Sequence, residues 1–451
     1  ALYKSDSPDA FQLTASRTIL ESPHLAFSVG IDGMSLILLI LTVIVTFSAV
    51  AVSPKNQPPL FYASSLLISA GALGAFLSTD LFFFYAFHEL ALIPTFLMIG
   101  IFGTGDNRTA AWKITVYLGV GSLVLLAGLV ALYLNLSGDQ LTFDMQTLAA
   151  NAATADLPAA TQAWIYALLV VGFGILISLF PFHSWAAPAY ASAPTPTAML
   201  HAGVLKKFGL YGLIRVAAPL LPEGAATSWV LNTLLVLLLG NILFVGFVTL
   251  AQKRLDLMLG NSSVMHMGYV FLGIASASTI GTQGAVLLMF AHGISIALLF
   301  ALSAKVEEQT GTLEFSKLGG LAKSTPFLGL VFGLAAFASI GLPGFANFAA
   351  ELLVFFGGFS HFNAADGLSG LEIATILALW GVVISAVYML RAYRNIFKGE
   401  PASTVSAAND LSGTQRWPFL LLVIALLLVG FYPNLFLDLL QPAAEAVAAT
   451  K

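Results

Sequence analysis

Apolar runs long enough to cross a bilayer, separated by short polar stretches, fill the chain from residue 34 to residue 435. A hydrocarbon core of about 30 Å takes about 20 apolar helical residues to span. On that measure the pattern predicts twelve spans: 34–53, 58–78, 80–102, 110–136, 161–182, 194–217, 228–251, 256–278, 282–304, 326–358, 370–390 and 417–435. The tenth is too long for one straight helix, and "SIGLPGFANF" at 339–348 should break it. A second break is expected in "SLFPFHSWAAPAYASAPTP" at 178–196. Proline removes a backbone hydrogen bond and glycine loosens a helix. Broken backbone at membrane depth is tolerated only inside protein or beside a wet cavity. One break in each half, roughly 58–217 and 228–390, points to an inverted repeat of the transporter kind. The expected fold is an all-α integral membrane protein, a polytopic bundle of about twelve transmembrane helices occupying 34–435. Residues 1–33, including "YKSDSPDAFQLTASRTILESPH", are polar enough to be a loop, and 436–451 form a tail.

Composition strengthens the membrane reading. The chain is 58% hydrophobic and 9% charged, where a soluble domain carries about 25% charged residues. Forty glycines and 19 prolines suit helices that pack closely and sometimes break. No basic patch suggests nucleic acid. The absence of cysteine excludes disulfides, iron–sulfur ligation and thiol chemistry, and no local metal-ligand motif is present. No signal peptide is visible, and the chain begins at Ala1 rather than Met, so the native protein is expected to start upstream or to be processed.

Basic residues set the sidedness. Alternate loops hold Lys55; Arg108; Lys253 and Arg254; Lys305, Lys317 and Lys323; and Arg391, Arg394, Lys398 and Arg416. The opposite side holds Lys4, Arg17, Arg215 and Lys451, and its loop at 137–160 carries Asp139, Asp144 and Asp156 without a base. The first set is therefore assigned to the cytoplasm. Both termini then face the periplasm of a bacterial inner membrane.

Several titratable residues fall at mid-depth. A Lys or Asp at the bilayer centre costs about 2.5–3.5 kcal/mol on the insertion scale, so such groups are functional candidates by default. Here they are Glu89, His201, Lys206, Lys207, His266, His292 and Glu351. Each also has a structural reading: the acids as partners of a lysine, the histidines as interhelical donors. Lys113 is expected to snorkel to the interface, His88 to be structural, and His183 to cap carbonyls near its break. Together, acid, lysine and histidine recurring across six spans at one level describe a proton relay. The adjacent Lys206 and Lys207 point about 100° apart on a helix, so they cannot share one partner. No catalytic triad, phosphate loop or cofactor fingerprint is present.

These pieces, in order, resemble subunit M (the NuoM type) of bacterial respiratory complex I, an antiporter-like subunit of NADH:quinone oxidoreductase related to Mrp antiporter subunits. The matching stretches include "GIDGMSLILLILT", "HELALIPTFLMIGIFG" at 88–103, "AAWKITVYLGVGSL" at 110–123 and "PFHSWAAPAYASAPTPTAMLHAGVLKKFGLYGLIR" at 181–215. They continue with "NSSVMHMGYV" at 261–270, "AHGISIALLF" at 291–300, "KLGGL" at 317–321, "SIGLPGFANFAAELLVFFGGF" at 339–359 and "VYMLRAYRNIFKG" at 387–399. "GLPGFANFAAE" favours the M type over the L and N types, whose break is followed by lysine. The family has fourteen spans, so these twelve match its third to fourteenth.

The resemblance implies a proton-translocating subunit coupled to quinone reduction elsewhere. Glu89 would be the acid linked to the neighbouring subunit, Lys207 the central lysine, His292 the histidine beyond it, and Glu351 the acid near the outward exit. No cofactor is expected on this chain; NADH, FMN, iron–sulfur clusters and quinone belong to partner subunits. The expected partners are the bilayer and other antiporter-like and small membrane subunits. One departure stands out: Leu176 occupies the place of a family lysine on the seventh helix, and Lys206 is an extra lysine. Lys206 is therefore expected to replace the missing partner of Glu89. In "QKRLDLML" at 252–259, Asp256 stands where the family has a lysine. Alternatives are an Mrp-type Na⁺/H⁺ antiporter subunit, a subunit of a membrane-bound hydrogenase or CO₂-hydrating complex I variant, and a purely structural membrane subunit.

Overall fold

The computed structural model describes residues 3, 11–138, 141–405 and 408–448. Three of the sidedness markers, Lys4, Asp139 and Lys451, lie outside the described residues. The N-terminal segment is a β-hairpin rather than the expected loop. Strand β1 (Gln12–Leu20) pairs antiparallel with β2 (Leu25–Ile31), with Ala15 opposite Val29 and Arg17 opposite Phe27. The Thr79 amide donates to Ser28 O at 3.1 Å, and Phe27 packs edge-on to Phe83 at 5.2 Å. Strand β2 leads straight into the Asp32 N-cap of the first helix, where Asp32 and Ser35 form a capping box.

The helices follow as α1 (Gly33–Val52), α2 (Pro59–Leu77), α3 (Leu81–Phe102), α4 (Asn107–Leu136), a short α5 (Met145–Thr154) and α6 (Ala159–Ile177). After the first break come α7 (Ala186–Ser192) and α8 (residues 195–220). Then come α9 (Ser228–Ala251), α10 (Leu255–Ala275), α11 (Thr279–Thr310), α12 (Pro326–Ile340) and α13 (Ala346–Gly358). The chain closes with α14 (Gly370–Phe397), α15 (Trp417–Phe431) and α16 (Asn434–Ala448), the last giving the expected tail a helical form. Ten helices among the described residues are long and apolar enough to cross a membrane. The sixth and tenth expected spans are interrupted: α8 carries π-helical turns at His201–Leu205 and Leu213–Ala217, and α12 and α13 are the two pieces of a broken helix.

Burial sorts the bundle into a hub and a periphery. The apolar stretch of α11 is 100% buried within the chain and that of α10 94%, against 39–50% for α1 to α4. Helices α10 and α11 pack along one another, and α13 lies against α11. Polar side chains within these apolar stretches of α10 and α11, such as His266 and His292, are buried inside the chain.

Both breaks form where proline and glycine place them. At the first, Leu179 N–H returns to Gly174 O at 2.7 Å and Trp185 Nε1 donates to Ile175 O at 3.1 Å. Asn241, in a π-turn of α9 (Gly240–Val245), accepts from Phe180 N at 2.5 Å and donates to Ser178 O at 3.3 Å and Val264 O at 2.9 Å. One buried amide thus serves the broken backbone and ties it to α10. At the second break, α12 ends on Gly341 in the left-handed conformation (φ +79°).

Candidate functional site

The π-turn at 201–205 shapes the lysine site. Lys206 N–H bonds His201 O at 3.2 Å, five residues back, rather than Ala202 O. Lys207 Nζ takes the Ala202 carbonyl at 2.7 Å. Single π-turns are frequent at functional sites. A glycine contact then brings in the hub. A Cβ on Gly203 would lie 2.9 Å from Gly293 O, and one on Gly293 2.6 Å from Gly203 O. Only hydrogens at these two positions let α8 and α11 approach so closely. His292, next to Gly293, thereby reaches Lys207: Nζ and Nδ1 are 3.1 Å apart.

From His292 the polar groups continue across the hub. Its ring centroid lies 5.6 Å from that of His266 on α10. Nδ1 of His266 is 2.8 Å from Ser262 O, and Nε2 is 3.0 Å from Ser339 O, at the end of α12. Tyr269, one turn on, has its ring 6.0 Å from His266. Tyr388 on α14 bonds Ser262 Oγ at 2.8 Å, and two residues past Ser339 the broken turn meets the Glu351 carboxylate of α13. That carboxylate rests against Gly341, where a Cβ would fall 2.4 Å from Oε2. Four of the expected residues, Lys207, His292, His266 and Glu351, are thus set along one buried line between α8 and the second break.

Lys206 and His201 belong to the first break. Lys206 Nζ sits 5.2 Å from the Tyr190 ring centroid and 6.0 Å from that of Trp185, and reaches Ser263 Oγ at 3.4 Å. His201 Nδ1 is 3.2 Å from Tyr190 Oη. Both lysines are fully buried, and neither forms an ion pair among the described residues.

The expected Lys206–Glu89 partnership is corrected. Helix α8 meets α3 through Phe208, whose ring stacks on His88 at 4.0 Å, so position 206 is turned toward α7 and α10. Glu89 is half-buried on the side of α3 that meets α4. It accepts from Ser122 Oγ, and that hydroxyl lies 2.8 Å from Tyr85 Oη. A cavity of about 250 Å³ opens beside it, lined by Leu92, Phe96, Ile114 and Leu118. Leu176, in the place of the family lysine, is buried against Gly121, the neighbour of Ser122. Hydroxyls therefore hold Glu89.

Several buried polar atoms near this line have no protein partner: both nitrogens of His88, Nε2 of His201, Nε2 of His292, Oη of Tyr269 and Oδ1 of Asn347. They are hydrogen-bonding sites that the fold does not consume. His183 stacks on Phe180 at 5.6 Å and bonds the Pro181 backbone at the break, while its Nδ1 has no protein partner. Lys113 lines a cavity of about 490 Å³ with Asp106, Arg254, Glu307 and Pro188. Asp256 is engaged by Arg254 at 2.6 Å. Among the described residues, no three His, Cys, Asp or Glu are grouped to hold a metal ion. Sequence reasoning missed Asn241, Ser263, Tyr190 and Tyr269. Asn241 alone gave a signal, a single amide inside the apolar run "LLLGNILFVG".

The family described as NADH:quinone oxidoreductase/Mrp antiporter, transmembrane, matches residues 78–365. The chain is 35% identical over 430 residues to NAD(P)H-quinone oxidoreductase chain 4 1 of Picosynechococcus sp., covering 94% of this chain and 79% of the relative. It is 33% identical to NAD(P)H-quinone oxidoreductase chain 4-1 of Synechocystis sp., covering 98% and 84%. A chain of respiratory complex I from Thermus thermophilus with bound NADH superposes with a TM-score of 0.88 at 31% identity, over 97% of this chain and 89% of that one. A chain of the Mrp complex from Dietzia sp. shares the fold with a TM-score of 0.81 at 22% identity, over 96% and 87%.

Proposed function

The chain belongs to the NADH:quinone oxidoreductase/Mrp antiporter family, and on that premise we propose that it is the M-type subunit of a complex I-like assembly. It is a multi-pass, proton-translocating, antiporter-like membrane subunit. The M-type reading is supported by relatives named chain 4 and by "GLPGFANFAAE", with Glu351 following the second break. The reading places the chain in a bacterial inner membrane with both termini outward, beside other antiporter-like subunits. The electron carriers belong to partner subunits. The division into a transmembrane domain at 34–435, with halves near 58–217 and 228–390, is part of the same reading.

The observation that carries the function is the Lys207–His292 contact, held inside the hub by the Gly203–Gly293 approach. A lysine with a carbonyl on one side and an imidazole nitrogen on the other can give its proton to that nitrogen without meeting solvent. His266 and Tyr269 continue the path toward Glu351, which lies where the broken helix loosens the wall. Glu89 faces outward beside the groove between α3 and α4, the position from which a neighbouring subunit's charge would bias the site. Redox chemistry elsewhere changes that charge, and the proton on Lys207 responds.

The test uses the assembled complex in inverted membrane vesicles, measuring protons moved per quinone reduced. Lys207→Ala should lower that ratio while the complex still assembles and reduces quinone. An unchanged ratio overturns the function. Beyond the shared family, the Mrp alternative has a likeness at 22% identity, which speaks for the fold alone.

A further inference from the structure

His266 has no free acceptor or donor face. Both ring nitrogens point at carbonyl oxygens, Ser262 O at 2.8 Å and Ser339 O at 3.0 Å. A carbonyl oxygen can only accept, whereas a neutral imidazole has one N–H and one lone pair. In the neutral form one nitrogen therefore turns its lone pair on an oxygen lone pair. Only the imidazolium, with two N–H groups, donates to both.

The second carbonyl is without a helical donor for a reason written in the sequence. Ser339 O would be paired in an α-helix with the amide four residues on, and that residue is Pro343. The amides before it go elsewhere: Gly341 N to Ala338 O at 3.0 Å and Leu342 N to Phe337 O at 3.1 Å. His266 thus satisfies the acceptor that the break creates, two residues before the glycine on which the Glu351 carboxylate rests.

Counting protons along the line favours the same place. A neutral Lys207 amine has two N–H groups, and two acceptors stand beside it, Ala202 O and His292 Nδ1. With the extra proton on Lys207, one N–H finds no acceptor there and His266 keeps its lone-pair clash. With the proton on His266, every hydrogen among these groups except that on His292 Nε2 has an acceptor. The titratable groups around His266 are Lys207 and Lys206 on α8, His292 on α11, Glu351 on α13, Tyr388 on α14, which bonds Ser262 Oγ at 2.8 Å, and Tyr269 on its own helix.

We infer that His266 is a proton-dependent latch: as imidazolium it ties the Ser339 carbonyl of the broken helix to α10, and on losing a proton it releases the turn that positions Glu351. The step is a proton transfer alone: one N–H bond of His266 breaks and one O–H bond forms on the Glu351 carboxylate, leaving a neutral imidazole and a carboxylic acid. His266 thus carries the proton and, through Ser339, also positions the outward half of the path. The inference rests on the proton-relay reading above.

The experiment is hydrogen–deuterium exchange on the assembled complex, following the peptide that covers residues 336–350 at pH 6 and pH 9, corrected for intrinsic exchange rates. The wild-type peptide should lose protection about tenfold or more at the higher pH, as loss of a charge-assisted hydrogen bond implies. His266→Gln, whose amide carries donors on one atom only, should show low protection at both values. Equal wild-type protection at pH 6 and pH 9 overturns the latch, and needs no variant to fold. A His266→Gln complex that keeps the wild-type pH dependence overturns it too, by assigning the effect to another group. Proton translocation is measured separately on the same preparation. A wild-type complex that shows the pH-dependent protection without moving protons would sink the functional reading and leave the latch standing.

Discussion

Nζ of Lys207 and Nδ1 of His292 stand 3.1 Å apart with the Ala202 carbonyl on the other side of the amine at 2.7 Å. Two helices supply the pair, and among the described residues neither side chain hydrogen-bonds any side chain but the other. The contact makes them one functional unit, and groups that act as a unit are not additive. His292→Phe should reduce proton translocation about tenfold or more, in the range lost with a positioned proton carrier. Lys207→Met should do the same, and the double variant should fall no further. Translocation rates by pH-sensitive dye quenching in vesicles check this; additive losses would show that the two act independently.

Lys206 and Glu89 should behave as strangers. Lys206 faces Tyr190, Trp185 and Ser263, while Glu89 is held by Ser122. Effects of residues without shared partners add within about 0.5 kcal/mol. Thermal stability and translocation of Glu89→Gln, Lys206→Met and the double variant should therefore give a coupling energy within that bound. A larger coupling would restore the charge-replacement idea.

The hairpin and the lysine helix are tied by Arg215 and Asp32, an ion pair with side-chain exposures of 15% and 6%. Arg215 also bonds Tyr211 Oη at 3.2 Å and stacks on Phe11 at 5.0 Å. Asp32→Asn keeps a competent N-cap but leaves the arginine charge buried. It should destabilise the chain by about 3 kcal/mol, the lower end for breaking a buried pair, since the arginine keeps some water. Thermal unfolding of the purified complex measures the loss. Arg215→Met added to Asp32→Asn should recover part of it.

Asp80, just before α3, caps that helix through bonds from Phe82 N at 2.9 Å and Phe83 N at 3.2 Å. Burial, helped by the nearby Asp144, raises its carboxyl from 3.8 to about 6, against the opposing pull of those amides. A raised folded-state value means that folding favours the protonated form. This contribution to stability is present below about pH 4 and is lost as pH rises toward 6 and beyond. Asp80→Asn keeps the cap and removes the titration. Its unfolding temperature, relative to wild type, should rise between pH 4 and pH 7; a constant difference across that range would refute the assignment.

Spans and breaks are legible in the sequence because lipid leaves the backbone few options. Every group must be paired inside a helix, and Pro181 and Pro343 forbid that at named positions. Lys207 and His292 are legible as polar groups too expensive to keep without use. Their contact is not, because it depends on Gly203 and Gly293 meeting across the chain. The hairpin is hidden because its strands are short and mixed in character. Lys206 meets a partner other than the expected one because the rotation of α8, altered by a π-turn, decides which neighbour each lysine faces. A hydrogen-bond shift of one residue is invisible in hydropathy.

Gly341 offers the sharpest test of how Glu351 is held. It ends α12 at φ +79°, and an added Cβ would sit 2.4 Å from Glu351 Oε2. Gly341→Ala therefore combines two effects, backbone strain of about 1–3 kcal/mol and displacement of the carboxylate. Gly105 separates them. It has φ +63° with nothing within 4 Å of where an added methyl would lie, so Gly105→Ala carries strain without a clash. Both variants should lower the unfolding temperature of the complex, Gly341→Ala by at least as much as Gly105→Ala. Only Gly341→Ala should also lower protons moved per quinone reduced, because only there does the methyl push the acid off its seat. If both variants reduce the ratio equally, general loosening explains the loss; if neither does, the position of Glu351 against the break has no part in proton release.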